Sequence, residues 1–364
     1  MRIIAKDLEK LLIKLFQGYG AGAAEAREIS AHLVMSNLRG NDSHGVLRAP
    51  WYIEKIKKKE IVPGSRITVE RETASSAVVN GHWGFGQPIA RYAMELAIKK
   101  ARSQVVSCVT VKNCNHVGRV GAYTSLASAK GMVGIGMANL HGTSHVVAPF
   151  GGIDRKLPTN PVSIALPSGY DPNFLLDMSS CMVSEGTLKF KFNRKERVPK
   201  GWIIDNEGKS TTDPKDFYLE PRGAILPLGG ISGHKGFALS LAIDALSGAL
   251  SGAQCSNRQA KRHGNACCFI VIKIAAFTSL RAFKKNVGKL RQHVKSSRCA
   301  QGTEDILMPG EPEKRRTVRM MKEGIDIDDM TWSQICENAD ALGLDISSFG
   351  GKRSSRKPRA DAGL

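Results

Sequence analysis

Short polar clusters interrupt an otherwise apolar scaffold, and they carry the side chains able to do chemistry. Ser43-His44, with Arg48 four residues after the imidazole, brings together a hydroxyl, an imidazole and a guanidinium. Asn115-His116-Val117-Gly118-Arg119 puts a second imidazole on a strand-end loop. Thr159-Asn160-Pro161 and Asp177-Met178-Ser179-Ser180 are two further loops or strand ends. His234-Lys235-Gly236 opens a helix, where free backbone N–H groups and the dipole favour an anion. Singly, each has a plain structural reading: a hydrogen-bonded histidine, a solvated lysine, an aspartate acting as an N-cap. Pooled, two histidines, an arginine and a strand-end aspartate suit acid–base work on a small carboxylate.

Two glycine-rich segments test for a phosphate loop, and both fail. In Gly229-Gly230-Ile231-Ser232-Gly233-His234-Lys235-Gly236, His234 stands where a P-loop needs its second glycine, and Gly236 replaces the magnesium-binding Ser or Thr. After Gly134-Ile135-Gly136, Leu140 and Asn139 occupy the region of the third glycine of a dinucleotide fingerprint. No acidic residue follows at the usual distance except Asp154, itself followed by Arg155 and Lys156. A dinucleotide here has to be held in another way.

The elements that must position these clusters are legible from periodicity. Residues 6–17 and 23–38 read as helices, the first with Leu8, Leu11, Leu12, Leu15 and Phe16 on one face, and 50–57 resumes a helix. Residues 78–81 read as a strand and 88–102 as a helix. Strand and helix then alternate through 105–111, 122–130 and 132–138, with a third strand at 174–176. A long apolar helix is expected at 236–252 and a buried strand at 267–274. Leu280, Phe283, Val287, Leu290 and Val294 mark an amphipathic helix, and 304–345 reads as mostly helical.

Composition bounds the function classes. The chain has 364 residues, 42% hydrophobic and 24% charged, as a folded globular protein of two or three domains does. The longest apolar run, 266–277, is too short and too charged to span a bilayer. The N-terminus carries both charge signs where a secretory signal needs an apolar run, so a cytoplasmic protein is expected. Lys plus Arg exceeds Asp plus Glu by 53 to 33, a formal charge of +20. Residues 245–303 hold Arg258, Lys261, Arg262, Lys273, Arg281, Lys284, Lys285, Lys289, Arg291, Lys295 and Arg298 with no acidic residue. The segment 346–364 reads as a disordered basic tail. A nucleic-acid-binding protein is the alternative class, but only 6% of residues are aromatic and no finger or Arg-Gly-Gly pattern accompanies the charge. The eight cysteines show no C-x-x-C pair, so neither a disulfide framework nor a zinc site is expected.

In order and spacing, the clusters resemble the type 2 malate/L-lactate dehydrogenase family. The matching stretches are Gly40–Gly45, Gly84-Phe85-Gly86-Gln87, Asn115–Arg119 with Gly121 and Tyr123, Ala148–Gly152, Thr159–Pro161 and Leu176–Ser180. Thr211–Pro214, His234–Gly236, Leu250–Gly252 and Leu307–Glu311 complete them. The resemblance runs from about residue 5 to 345. It implies an α/β, non-Rossmann NAD(P)-binding fold with a helical domain formed by the two chain ends. Residues 1–75 would pack with 280–345, around a central NAD(P)-binding and catalytic domain at 76–279. It also implies a homodimeric, metal-free oxidoreductase moving a hydride between NAD or NADP and a small 2-hydroxy or 2-oxo acid. Reduction of a cyclic imino acid of the Δ1-piperideine-2-carboxylate type is the alternative on the same scaffold.

By that resemblance His116 is the acid–base residue, an imidazole whose reference pKa of ~6.5 suits the task. Arg48 holds the carboxylate with its planar fork. Ser43, His44 and Asp177 belong to the catalytic group. The dinucleotide would contact His44, Gly118, Arg119, Val120, Leu175, Leu176, Asp177, Met178, Ser179, His234, Lys235, Asn265, Gly310 and Glu311. The chain departs from the pattern at Thr187, where a cation is usual after Gly186, and in the lengths of 229–233 and 139–144. It departs again at Lys273, where aspartate is common. All four departures are expected near the cofactor.

Overall fold

The computed structural model describes residues 1–142, 145–257, 259, 262–346 and 349. Arg258 and Lys261 of the basic block, Thr143 and Ser144, and the tail apart from Ile346 and Phe349 lie outside the described residues. The chain opens with β1 (Arg2–Ile3), α1 (Ala5–Gly18) and α2 (Ala23–Leu38). The leucine face of α1 is fully buried. The helix stops where the Ala21 N–H turns back to the Phe16 carbonyl, with Gly20 at φ +95°, a left-handed conformation that glycine adopts without strain. Two short turns over residues 42–48 lead into α3 (Ala49–Lys57).

The central part contains β2 (Thr68–Glu72), β3 (Ser76–Asn80), α4 (Gly86–Gln104), β4 (Val106–Cys114), α5 (Gly121–Ala129), β5 (Met132–His141), β6 (Val162–Leu166) and β7 (Phe174–Met178). A smaller unit follows: α6 (Glu185–Asn193), β8 (Ile203–Ile204), β9 (Ser210–Thr211), α7 (Lys215–Tyr218) and β10 (Ala224–Ile225). Helix α8 (His234–Asp244) runs on through a wider turn to Ala249, and β11 (Gly264–Lys273) returns to the sheet. The chain ends with α9 (Leu280–Lys295), α10 (Glu311–Glu323), β12 (Ile325–Asp326) and α11 (Asp329–Asp340).

Strand order in the seven-stranded sheet is β2-β3-β4-β11-β5-β6-β7, and only β3 and β4 run parallel. Strand β11, made far down the chain, enters antiparallel to both β4 and β5. Its side chains alternate between two cores, as a central strand buried on both faces must. Cys267, Phe269 and Val271 meet α4 and α5, whereas Cys268 faces Met137, Val162 and Ile243. The two chain ends meet through β1 and β12, which pair antiparallel, and through a core where α1, α2 and α3 bury Ile325, Ile327, Ile335 and Ala339.

Helix α9 contributes nothing to that terminal core; Leu280 lies against Gly131 and Lys284 against Gly169, beside the sheet. Its apolar stripe is covered only in its first half, leaving Leu290 57% and Val294 37% exposed. Two of its cations are tied down: Arg291 bonds to Glu311, and Lys295 lies 2.9 Å from Glu311 and 3.3 Å from Asp305. Lys273 stands at the opposite end of β11 from Asn265 and donates to the Arg102 carbonyl. Its departure from the family pattern is therefore at the far end of the strand from residues 139–141, which pair with Gly264–Ala266. All eight cysteines are free thiols. Among the described residues no helix is long and apolar enough to cross a membrane, and no group of three His, Cys, Asp or Glu could hold a metal.

The smaller unit touches the rest of the molecule at Gly186, in the first turn of α6. A methyl group there would fall on Cβ and Cα of Ser43. Gly186→Ala should therefore cost about 1–3 kcal/mol through overpacking, read as a lower urea midpoint with an unchanged m-value. An unaltered midpoint would mean that α6 shifts without penalty.

Candidate active site

Three polypeptide layers converge on one cavity of about 540 Å³. The 42–48 turns and α3 supply Ser43, His44, Arg48, Trp51 and Lys55. The ends of β4, β5 and β11 supply Asn115, His116, Gly118, Asn139 and Asn265, and the smaller unit supplies Arg155, Glu185, Gly186, Tyr218 and Arg222.

Asn37 of α2 fixes the first layer. Its Oδ1 accepts the Val46 N–H at 2.8 Å, its Nδ2 donates to Asp42 at 2.7 Å, and Gly45 leaves no room for a side chain against it. Arg48 Nε then donates to the Ser43 carbonyl at 2.7 Å, and its Nη2 lies 3.7 Å from Glu185. Ser43 Oγ and His44 Nδ1 are 2.9 Å apart.

The loop carrying His116 is held from several sides. Asn115 Nδ2 donates to the carbonyls of Glu60, Trp83 and Gly84. Tyr123 donates its hydroxyl proton to the Val117 carbonyl, and the Arg119 N–H donates to His32 Nε2 at 2.9 Å. Gly118 sits at φ +70° with its α-carbon against the His32 ring, so no other residue fits there. The His44 and His116 rings stack at 5.4 Å, with Trp51 edge-on to His116 at 5.8 Å. Tyr52 Oη lies 2.7 Å from His116 Nδ1, which leaves Nε2 as the ring's other polar atom.

Burial, then the neighbouring Arg48, His44, His32 and Lys55, hold His116 well below the ordinary histidine range. The reference value of ~6.5 therefore does not describe this imidazole, which is neutral at pH 7. Burial, followed by Arg48 and Arg119, lowers His44 to about 3, and burial with Arg119 lowers His32 to about 3.

Of the residues singled out from sequence, Ser43, His44, Arg48, His116, Gly118 and Asn265 line this cavity. Arg119, Val120, Leu175, Leu176, Asp177, Met178, Ser179, His234, Lys235, Gly310 and Glu311 do not. Asp177 takes Arg119 Nη1 at 3.2 Å and the Gly121 N–H at 3.0 Å, so it braces the loop after His116 rather than facing it. Burial raises its pKa, against the pull of Arg119. Gly310 and Glu311 adjoin Leu175, whose N–H bonds to the Pro309 carbonyl. Burial opposes ionisation of Glu311, but bonds from Lys295, the Met308 N–H and Arg291 hold its pKa below the usual range. His234 and Lys235 are exposed at the start of α8, His234 edge-on to Phe150.

Sequence reasoning missed Tyr52, Gln87, Arg155, Glu185, Tyr218 and Arg222. The partners of Tyr52, Gln87, Arg155, Glu185 and Tyr218 lie tens of residues away, and Arg222 pairs locally with Glu220 in no pattern that marks a site; only Gln87, a polar residue opening an apolar helix, carried a signal. Thr159-Asn160-Pro161 was noticed without a role. Asn160 is among the residues lining the cavity; its Nδ2 donates to Ser240 and Asp244, while its Oδ1 is buried without a partner among the described residues. An orphaned amide oxygen of this kind fits an incoming N–H donor such as a carboxamide.

The malate/L-lactate dehydrogenase family profile matches residues 3–336. The chain is 37% identical over 347 residues to the L-sulfolactate dehydrogenase of Methanocaldococcus jannaschii, covering 94% of this chain and 97% of that one. It is 36% identical over 352 residues to the malate dehydrogenase of Pyrococcus abyssi, covering 94% and 96%. Among solved structures, the malate dehydrogenase from Entamoeba histolytica matches with a TM-score of 0.90 at 28% identity, over 95% of this chain and 99% of that one.

Three neutral histidines, His32 buried and His44 and His116 half-buried at the cavity, make stability depend on pH. Their folded pKa values lie below the unfolded ~6.5, so as pH falls the unfolded chain takes up protons first. Stability present above pH ~6.5 is lost progressively toward pH ~3, each histidine adding a slope of up to about 1.4 kcal/mol per pH unit. Urea unfolding at steps from pH 7.5 to 4.5 should show this loss, and His32→Gln should flatten it. A midpoint that does not move below pH 6.5 contradicts the neutral assignment.

Proposed function

The chain belongs to the malate/L-lactate dehydrogenase family, and we propose that it is an NAD(P)-dependent oxidoreductase acting on a small 2-hydroxy acid and its 2-oxo partner. The observation that carries this reading is the shared cavity wall of His116 and Arg48, a neutral imidazole beside a guanidinium. His116 acts as acid–base, taking the hydroxyl proton on oxidation and returning it on reduction. Arg48 holds the substrate carboxylate, with Ser43 and His44 lining the same pocket. Glu185 is the counter-ion of Arg48 before substrate enters.

A nicotinamide dinucleotide, NAD or NADP, supplies the hydride acceptor or donor when bound. The residues present fit its nicotinamide end: His44, Gly118 and Asn265 line the cavity with Asn160, whose buried, unpartnered Oδ1 would accept a carboxamide N–H once turned outward. Arg155 and Arg222 also line the cavity, Arg155 bonded to the Gly223 and Phe217 carbonyls and Arg222 ion-paired with Glu220. These two guanidiniums favour acids with a second anionic group, the class that the names malate and sulfolactate dehydrogenase denote among the relatives.

A homodimer accounts for a further feature. Leu241, Leu246 and Leu250 are 45%, 41% and 55% exposed along α8 and its continuation, a face that a second copy would cover. Sedimentation equilibrium should then give twice the 39.4 kDa chain mass; a monomer at micromolar concentration rejects this.

Purified protein should oxidise NADH or NADPH with oxaloacetate or sulfopyruvate at a kcat/KM at least ~10-fold above that with pyruvate, about the worth of one charge-assisted bond. Arg222→Gln should narrow the gap. His116→Ala should abolish turnover, a loss of ~10²–10⁴, with an unchanged circular dichroism spectrum. No turnover with any 2-oxo acid or with Δ1-piperideine-2-carboxylate overturns the reading.

A further inference from the structure

Gly84-Phe85-Gly86-Gln87 has so far no part in the chemistry. Gly86, the first residue of α4, has no room for a side chain because the backbone carbonyls of Asn115 and His116 lie against it. The helix therefore starts directly beneath the loop that carries His116, and Gln87 is fully buried there. Its Nε2 lies 2.7 Å from Tyr52 Oη, which in turn lies 2.7 Å from His116 Nδ1. Two buried side chains, Gln87 and Tyr52, thus form one line ending at the half-buried His116 imidazole.

A phenol has a single proton, so the direction of this line fixes the tautomer of the ring. With the Gln87 N–H donating to the Tyr52 oxygen, Tyr52 must donate to Nδ1, and the ring proton sits on Nε2. His116 can then give a hydrogen bond into the cavity but cannot take a proton there. With the amide reversed, Gln87 Oε1 accepts from Tyr52, the Tyr52 oxygen accepts from Nδ1–H, and Nε2 turns a lone pair to the cavity. The two ends of an amide are nearly equal in size, so both orientations occupy the same space. Nor does the far end of the amide choose between them, because Gln87 Oε1 is buried without a partner among the described residues.

We propose that Gln87 is a positioning residue that sets, through Tyr52, which nitrogen of His116 carries the proton, and that reversal of its amide makes His116 competent as a base. This rests on His116 being the acid–base residue. In the competent state the substrate O–H bond breaks and an Nε2–H bond forms. The resulting imidazolium keeps its Nδ1–H on Tyr52, and Tyr52 keeps its proton on Gln87 Oε1. The return step reverses the same two bonds. Without Gln87, Tyr52 is free to donate to Nδ1 and the ring settles as the Nε2–H tautomer.

The test labels histidine with ¹⁵N in the full chain and reads the two ring nitrogens of His116, assigned by their absence in His116→Ala. Gln87→Leu should move His116 to a single Nε2–H signature. It should also lower kcat for hydroxy acid oxidation by ~10- to 100-fold, part of what a general base contributes, while KM changes less than ~2-fold. Gln87→Glu, which keeps an acceptor facing Tyr52, should restore the wild-type signature. The groups that otherwise face His116, namely Arg48, His44, Lys55 and His32, are untouched by the leucine change, so a displaced pH profile of kcat in Gln87→Leu reports the relay. Gln87→Met serves for the same spectra if the leucine variant does not fold. Unchanged His116 ring shifts in the leucine or methionine variant overturn the proposal whatever the activity. If wild-type protein turns over no 2-oxo acid, it is the proposed function that fails, and the spectra still read the tautomer.

Discussion

The site hangs on one buried amide at the end of the central strand. Asn265 Oδ1 accepts the Val117 N–H at 2.9 Å, and its Nδ2 donates to the Asn139 carbonyl at 2.7 Å. The loop after β4 and the end of β5 are thereby held to each other through β11, which lies between the two strands. The register of β11 against β4 slips between Asn265 and Cys267, so the strand leaves regular pairing where its side chain takes over. Asn139 continues the tie, with Nδ2 on Asp244 at 2.9 Å and Oδ1 accepting the Ala266 N–H. Burying these amides is tolerable because nearly every polar end has a partner; the exceptions are at Asn160 and Gln87, where chemistry is proposed.

How far the sequence reached depends on whether the deciding contact was local. The leucine face of α1 and the apolar runs of β4, β5 and β11 declared themselves because helix and strand periods come from the element's own environment. The family resemblance also drew attention to Ser43, His44, Arg48 and His116, which do meet in one cavity. Periodicity says nothing about neighbours, however. The alternation of strand and helix gave no sign that β11 would enter between β4 and β5 from some 130 residues away and antiparallel to both. The two-residue strands of the smaller unit are below any pattern's length. Tyr52, only 1% exposed, reads in sequence as one more aromatic on a helix, and only its contact with His116 gives it a part in the site.

The net charge of +20 is a property of several separate places rather than of one surface. Arg291 and Lys295, on the most basic helix, are engaged by Glu311 and Asp305, whereas Arg48, Arg155 and Arg222 stand at the cavity. Arg48 lies near His44 and His116 and, with burial, keeps both imidazoles neutral. The arrangement suits an anionic guest: Coulomb attraction is strengthened by the low local dielectric, and the rings remain free to act as bases.

That crowding of cations around neutral rings ties guest binding to proton traffic. Arg48 and Lys55 are among the charges that keep His116 unprotonated, and an anion settling between them offsets part of that repulsion. Complex formation and proton uptake then become one thermodynamic event. The heat released on titrating such an acid into the protein will vary with the ionisation enthalpy of the buffer, and the binding constant will carry a pH dependence that neither partner has alone.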